Sequence, residues 1–283
     1  VLATDVALFS LGLSFMSWVT IFPAFLRELG ANNVQIGLIS VVTTTGLALP
    51  PVFLAPYTER LERKSPFVVL WTIWERVPSG VLAVLALLVA RGHPTLTLWL
   101  ALGLVTLQNT VGGCLTSAWL DMIARAVATR SRGRFFGWSS AVAGGLGFLG
   151  SLISQRLIGA YGFPNGFAAC FGIACGCFAV SFIFLALNKE ILPSTHSRSP
   201  VSVAGYVREL VLVLQQHRDF SVFLTARCLS AFAASASAFF TVLALSRTPE
   251  ASSNVGLFTS CLLGATTIAN LCWGSIADHA GHK

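Results

Sequence analysis

Apolar stretches long enough to cross a lipid bilayer recur along the whole chain, and they leave it few folds to adopt. Eight such runs can be read, at roughly 6–26, 34–55, 67–90, 96–123, 136–159, 165–187, 220–246 and 254–276. Each has about eighteen residues or more, the length a helix needs to span a hydrocarbon core of ~30 Å. Backbone groups in lipid must find partners within the segment or around a closed barrel. These runs are continuously apolar rather than alternating, which argues for helices. Only 10% of the 283 residues are charged, too few to cover a water-facing surface. The expected fold is an all-α integral membrane protein with about eight transmembrane helices.

Lysine and arginine set the expected orientation. The connections after runs two, four and six and the tail after run eight hold Arg60, Arg63, Lys64, Arg125, Arg130, Arg132, Arg134, Lys189, Arg198, Arg208, Arg218 and Lys283, whereas the opposite side holds only Arg27, Arg91, Arg156 and Arg247. Basic residues accumulate on the cytoplasmic side of membrane proteins. The N-terminus and the even-numbered connections are therefore expected to be cytoplasmic, in a multi-pass protein of the cell (inner or plasma) membrane. The same asymmetry accounts for the net charge of +7. It calls for anionic lipid headgroups as partners and not for nucleic acid.

The first run has no basic stretch before it and no small-residue cleavage site after it, so it reads as a span rather than a signal peptide. All seven cysteines fall inside apolar runs. Cys175 and Cys177 lack histidine or zinc-type spacing, so neither a disulfide framework nor a metal site is expected, and no cofactor. No nucleophile with its base, phosphate loop or pair of catalytic carboxylates stands out, so an enzyme is not expected.

The connection after run six is long. Its first half, LPSTHSRSP, has linker composition, and its second half places Val203, Val207, Leu210, Val211 and Leu214 at helical spacing, with Arg208, Glu209, Gln215 and Gln216 away from that stripe. A surface helix is expected there. The chain thus divides into residues 1–187, a cytoplasmic linker 188–219, and a second unit 220–283. The ends of the second span in each unit align without gaps at an offset of 219 residues: APYTERLERK, from Ala55 to Lys64, lies over GSIADHAGHK, from Gly274 to Lys283. Glu59 faces Asp278, Arg60 faces His279, and Lys64 faces Lys283. An internal repeat is expected.

GSIADHAGHK resembles the signature loop of the major facilitator superfamily, with Gly274, Asp278, Gly281 and Lys283 in place. The first copy keeps the acid-then-basic pattern of Glu59, Arg60, Arg63 and Lys64, but Ala55 and Glu62 replace the glycines. The resemblance implies two six-helix bundles around a central cavity. The first is expected complete and the second represented by two helices, so that four further spans would follow Lys283 in a longer protein. The missing initiator methionine at Val1 points the same way. The implied function is a secondary active transporter that moves a small-molecule solute by alternating access, with a coupling proton or cation. A non-transporting sensor or assembly protein on the same scaffold is the alternative.

The resemblance gives the signature loops the role of a conformational latch, carried by Asp278 and by Glu59 with Arg60. A topology signal plus a tight turn is the plainer reading. The loop from Asp121 to Gly137 resembles the connection between spans four and five of bacterial members, where Asp121, Arg132 and Arg134 either pair with the signature loops or serve only as positive-inside charge. Spans one, four and seven line the cavity in the family, which nominates Asn109 and Arg227 for solute contact. Asn109 shares a helix face with Gly112, Gly113 and Thr116, so close packing explains it as well. Glu75 lies deep in the third run beside Arg76. It is a candidate for carrying a coupling proton or for pairing with a neighbouring helix, and the peripheral place of span three in the family favours pairing. Gly144, Gly147 and Gly150 in the fifth run suit close helix contact.

Overall fold

The computed structural model describes residues 2–126, 132–188, 203–234, 236–247 and 255–280, and among them the secondary structure is helical without strands. The helices are α1 (Leu2–Phe15), α2 (Ile21–Glu28), α3 (Asn33–Thr58), α4 (Ser65–Leu88), α5 (Pro94–Ala126), α6 (Arg132–Tyr161), α7 (Asn165–Ala186), α8 (Val203–Gln216), α9 (Arg218–Ala234), α10 (Ser237–Arg247) and α11 (Val255–Ala280). Helices α3 to α7 each contain a segment long and apolar enough to cross a membrane. The linker stretch LPSTHSRSP lies outside the described residues.

Two expected spans are broken rather than continuous. The first apolar run divides into α1 and α2, and the seventh into α9 and α10. Pro23 supplies the physical reason in the first case. It has no N–H, so in an unbroken helix the carbonyl of Val19 would lack its donor. Here that carbonyl accepts instead from the Thr241 hydroxyl of α10 at 2.9 Å, while Pro23 sits in the first turn of α2, where no N–H is needed. Gly30, with φ of +87°, turns the chain after α2. In the second case α9 ends at Ala234 and α10 begins at Ser237, within a run of small residues. Shifted by 219 residues, the last residues of α1 and α2, Phe15 and Glu28, fall on the last residues of α9 and α10, Ala234 and Arg247. Gln35-Ile36-Gly37-Leu38 likewise falls on Asn254-Val255-Gly256-Leu257.

Helix α1 packs on α6 and α7, α4 on α5 and α7, and α5 on α3, while α6 is the main contact of the first unit with α11. The largest buried cluster gathers Phe22, Phe25, Phe167, Phe171 and Phe178 with Met16, Ile36 and Leu82. Phe25 meets Phe171 edge to face, with ring centroids 5.2 Å apart. The burial pattern is that of a protein solvated by lipid: Leu88 is 78% exposed, whereas Asp5 is 3% exposed and Arg76 7%.

Glycine sets the closest approaches. A Cβ on Gly113 of α5 would lie 2.2 Å from the Gly46 carbonyl of α3, so these backbones touch where neither residue has a side chain. In α6, Gly144 and Gly147 face Thr267 and Leu263 of α11, and Gly150 faces Ser14 of α1. The three-residue spacing thus serves two different partners.

Candidate functional site

A buried ionic cluster joins α1, α4 and α7. Arg76 on α4 donates through Nε to the Phe178 carbonyl at 3.1 Å. Its Nη2 donates to Asp5 Oδ1 at 3.1 Å and to Ser181 Oγ at 2.9 Å, and its Nη1 donates to Thr72 Oγ1. Ser181 in turn donates to Asp5 Oδ1 at 2.5 Å. The guanidinium carbon also sits 5.2 Å from the centroid of Phe9 and 5.9 Å from that of Phe182. A charge pair in the membrane interior persists only when its remaining donors and acceptors are satisfied, and this one meets that condition.

Glu75 follows a different course from its neighbour. Among the described residues it forms no ion pair, and its Oε2 accepts from Thr72 Oγ1 at 3.1 Å. Because Thr72 also accepts from Arg76, a continuous chain runs from Asp5 through Arg76 and Thr72 to Glu75. The other carboxylate oxygen lies against α5 at Gly112, where a Cβ would come within 2.8 Å of Oε1. Between these helices lies a cavity of about 260 Å³, lined by Asp5, Glu75 and Arg76 together with Ser10, Thr72 and Thr116. Phe9, Leu115 and Trp119 contribute its apolar wall. Since α1 packs on α6 and α7 while α5 packs on α3 and α4, the cavity lies between the two sets.

Asp5 was not anticipated: the first apolar run was begun at residue 6 and Asp5 left outside it, whereas α1 starts at Leu2 and carries Asp5 inward. The only available signal was that an isolated acid directly precedes the apolar run and that Arg76 needs a partner.

The residues singled out from sequence fall into separate places. Asn109 is buried and donates to the Val105 carbonyl of its own helix at 2.9 Å. Its Cβ lies where a Cβ on Gly46 would come within 3.0 Å, so it packs against α3. Arg227 is exposed on α9 and does not join the buried cluster. At the N-cap of α4, Lys64 is buried and lies 2.9 Å from Asp121 Oδ2, while donating to the Thr58 carbonyl at the end of α3 at 2.7 Å. Asp121 also pairs with Arg125 at 2.7 Å, one turn along α5. Glu59 is half-buried at the α3 terminus, and Arg60 and Arg63 are exposed in the following loop. Arg132 and Arg134 lie in the first turn of α6, and Gly274 and Asp278 in the last two turns of α11. Gly281 and Lys283 lie outside the described residues.

Hydroxyl groups join the two units next to the helix interruptions. Thr20 bonds Thr259 of α11, and Ser151 of α6 bonds Ser260 at 2.6 Å. Together with the Thr241 bond to Val19, these contacts connect both broken spans to the same seam. No group of three His, Cys, Asp or Glu side chains able to hold a metal ion occurs among the described residues.

A family model described as Major Facilitator Superfamily matches residues 6–283, and no curated protein matches the chain. The chain belongs to that superfamily and is a multi-pass membrane transporter.

Proposed function

We propose that this member of the major facilitator superfamily is a secondary active transporter that carries a small solute across the cell membrane by alternating access, its N-terminus in the cytoplasm. The observation that supports this reading most directly is the pair of helix interruptions at matching places in the repeat, α1/α2 and α9/α10. Discontinuous helices at corresponding positions of two related halves are a feature of secondary transporters, where interrupted backbone is tolerated at membrane depth only where it is buried or lines a cavity.

In this reading residues 1–187 form one moving unit, 188–219 connect it, and 220–283 belong to the second. The seam of Thr20, Thr241, Ser151 and their partners closes the outer side, and its hydroxyl bonds are individually weak enough to exchange. On the inner side, Lys64 at the start of α4 joins the Thr58 carbonyl at the end of α3 to Asp121 of α5, which also pairs with Arg125 one turn along. The signature loop carrying Asp278, and its first-unit counterpart at Glu59 and Arg60, act as the latch there. Solute coupling to a proton or cation completes the cycle.

Reconstitution into sealed vesicles tests the reading. A gradient-dependent accumulation of at least one solute from a panel of sugars, amino acids, amines and organic anions is expected. Failure to move any member of the panel under proton and sodium gradients, with protein shown to be folded and oriented, would refute it.

A further inference from the structure

The cavity between α1, α4, α5 and α7 has an unbalanced charge. Three ionisable groups line it: Asp5 from α1 and Glu75 and Arg76 from α4; α5 and α7 contribute only uncharged residues to its wall. The hydrogen-bonding donors of Arg76 are directed to Asp5, Ser181, Thr72 and the Phe178 carbonyl. Asp5 is thereby neutralised, and Glu75 keeps a hydroxyl as its hydrogen-bond partner without any cation in ion-pair reach among the described residues. With all three groups ionised the cluster sums to one negative charge, which a proton on Glu75 or a bound cation would balance.

We propose that this cavity is a binding site for a small organic monocation, a protonated amine with an apolar body, whose ammonium group pairs with Glu75. The proposal deepens the transport reading by naming the class of solute. Three features select an amine over a bare ion. A dry cavity of roughly 150 Å³ accepts benzene, so a cavity of about 260 Å³ has room for a ring and a short arm. Phe9, Leu115 and Trp119 offer that body a largely carbon wall, and Trp119 adds a ring face attractive to a cation. Ser10, Thr72 and Thr116 place hydroxyl-bearing residues around the same space, where ammonium N–H groups need acceptors.

Gly112 gives the site its opening on α5. A methyl group there would lie 2.8 Å from Glu75 Oε1, too close for the carboxylate to keep its position. Glycine at this point lets a residue of α4 present its charge beside α5, at the edge of the space between the two packed sets of helices. Arg76 and Asp5 act as positioning residues: through Thr72 they hold the Glu75 carboxylate in place.

The test uses the full chain in lipid nanodiscs, with benzylammonium as the probe and benzyl alcohol, benzoate and sodium ion as comparisons, read by calorimetry. Saturable binding of benzylammonium is expected, at least about tenfold tighter than benzyl alcohol, with no binding of benzoate. Glu75→Gln, close in shape, is expected to weaken benzylammonium by at least about tenfold while the melting temperature is kept. Gly112→Ala provides a second variant that alters the site without removing the charge, and it too is expected to weaken binding. Equal affinity for benzyl alcohol, or undiminished binding in Glu75→Gln, overturns the proposal. So does a site that takes sodium or a proton at Glu75 and excludes the amine. Vesicle accumulation of other solutes without amine binding would sink the amine assignment and leave the transport reading standing; amine binding with no transport of any solute would do the reverse.

Discussion

Removing one member of the Asp5 and Arg76 pair should destabilise the protein far more than removing both. At 3.1 Å the direct attraction is on the order of 5 kcal/mol for an effective dielectric near 20. Most of that offsets the cost of holding two charges out of water. Asp5→Leu therefore leaves a guanidinium that is 7% exposed without its counter-charge. Loss of one partner from such a pair typically costs ~3–5 kcal/mol. The lower end applies, because Arg76 keeps the Phe178 carbonyl, Ser181, Thr72 and two aromatic faces. A loss of ~3 kcal/mol corresponds to a fall of roughly 6–12 °C in melting temperature for a chain of this size. Arg76→Met is expected to cost a similar amount. The double variant Asp5→Leu/Arg76→Met should recover to within ~1 kcal/mol of the original, since an apolar pair of similar volume replaces a buried ion pair at little cost. Thermal unfolding in a mild detergent measures all four corners of this cycle. Single variants within ~0.5 kcal/mol of the original, or a double variant equal to the sum of the singles, would refute the account of the cluster.

Two further variants probe packing and the seam. Gly113→Ala forces a methyl group to within 2.2 Å of a backbone carbonyl that cannot rotate away, and is expected to cost ~1–3 kcal/mol in thermal unfolding; Gly92→Ala, with nothing within 4 Å, should stay within ~0.5 kcal/mol. Thr241→Val keeps the shape of the side chain and removes the donor to the Val19 carbonyl, so a loss of ~1 kcal/mol is expected, with a shift toward the conformation in which the outer seam is open, readable by maleimide labelling of a cysteine placed at Thr259.

The transmembrane character was legible because composition and run length report burial in lipid directly, with no tertiary information needed. The repeat was expected from the ends of α3 and α11, where an acid followed by basic residues recurs at the same spacing while the glycines stand only in the second copy. The helix interruptions were not read, although Pro23 carried a signal: a proline near the end of an apolar run is also compatible with a continuous bent span, and the Thr241 donor that satisfies the released Val19 carbonyl comes from α10, far along the chain. Asp5 and Arg76 are 71 positions apart, and no periodicity links them. Glu75 was judged peripheral from the expected place of its helix. The opening made by Gly112 depends on the register of α4 against α5, which a single sequence does not contain. The glycines of α6 showed their spacing but not that Gly150 faces α1 while Gly144 and Gly147 face α11.

Distances across the two ends of the molecule test alternating access most directly. In a variant with its native cysteines replaced by serine, spin labels at the exposed positions Arg60 and His217 report the end that the proposal places in the cytoplasm, the inner end, and labels at the exposed positions Arg91 and Arg247 report the opposite, outer end. Electron resonance in nanodiscs should show two populations at each end. Pairing cysteines at Thr20 and Thr259, which bond each other across the seam, should collapse the outer distribution to its short component and the inner one to its long component, with reductant restoring both. A single distance at each end, unmoved by the cross-link, would contradict the account.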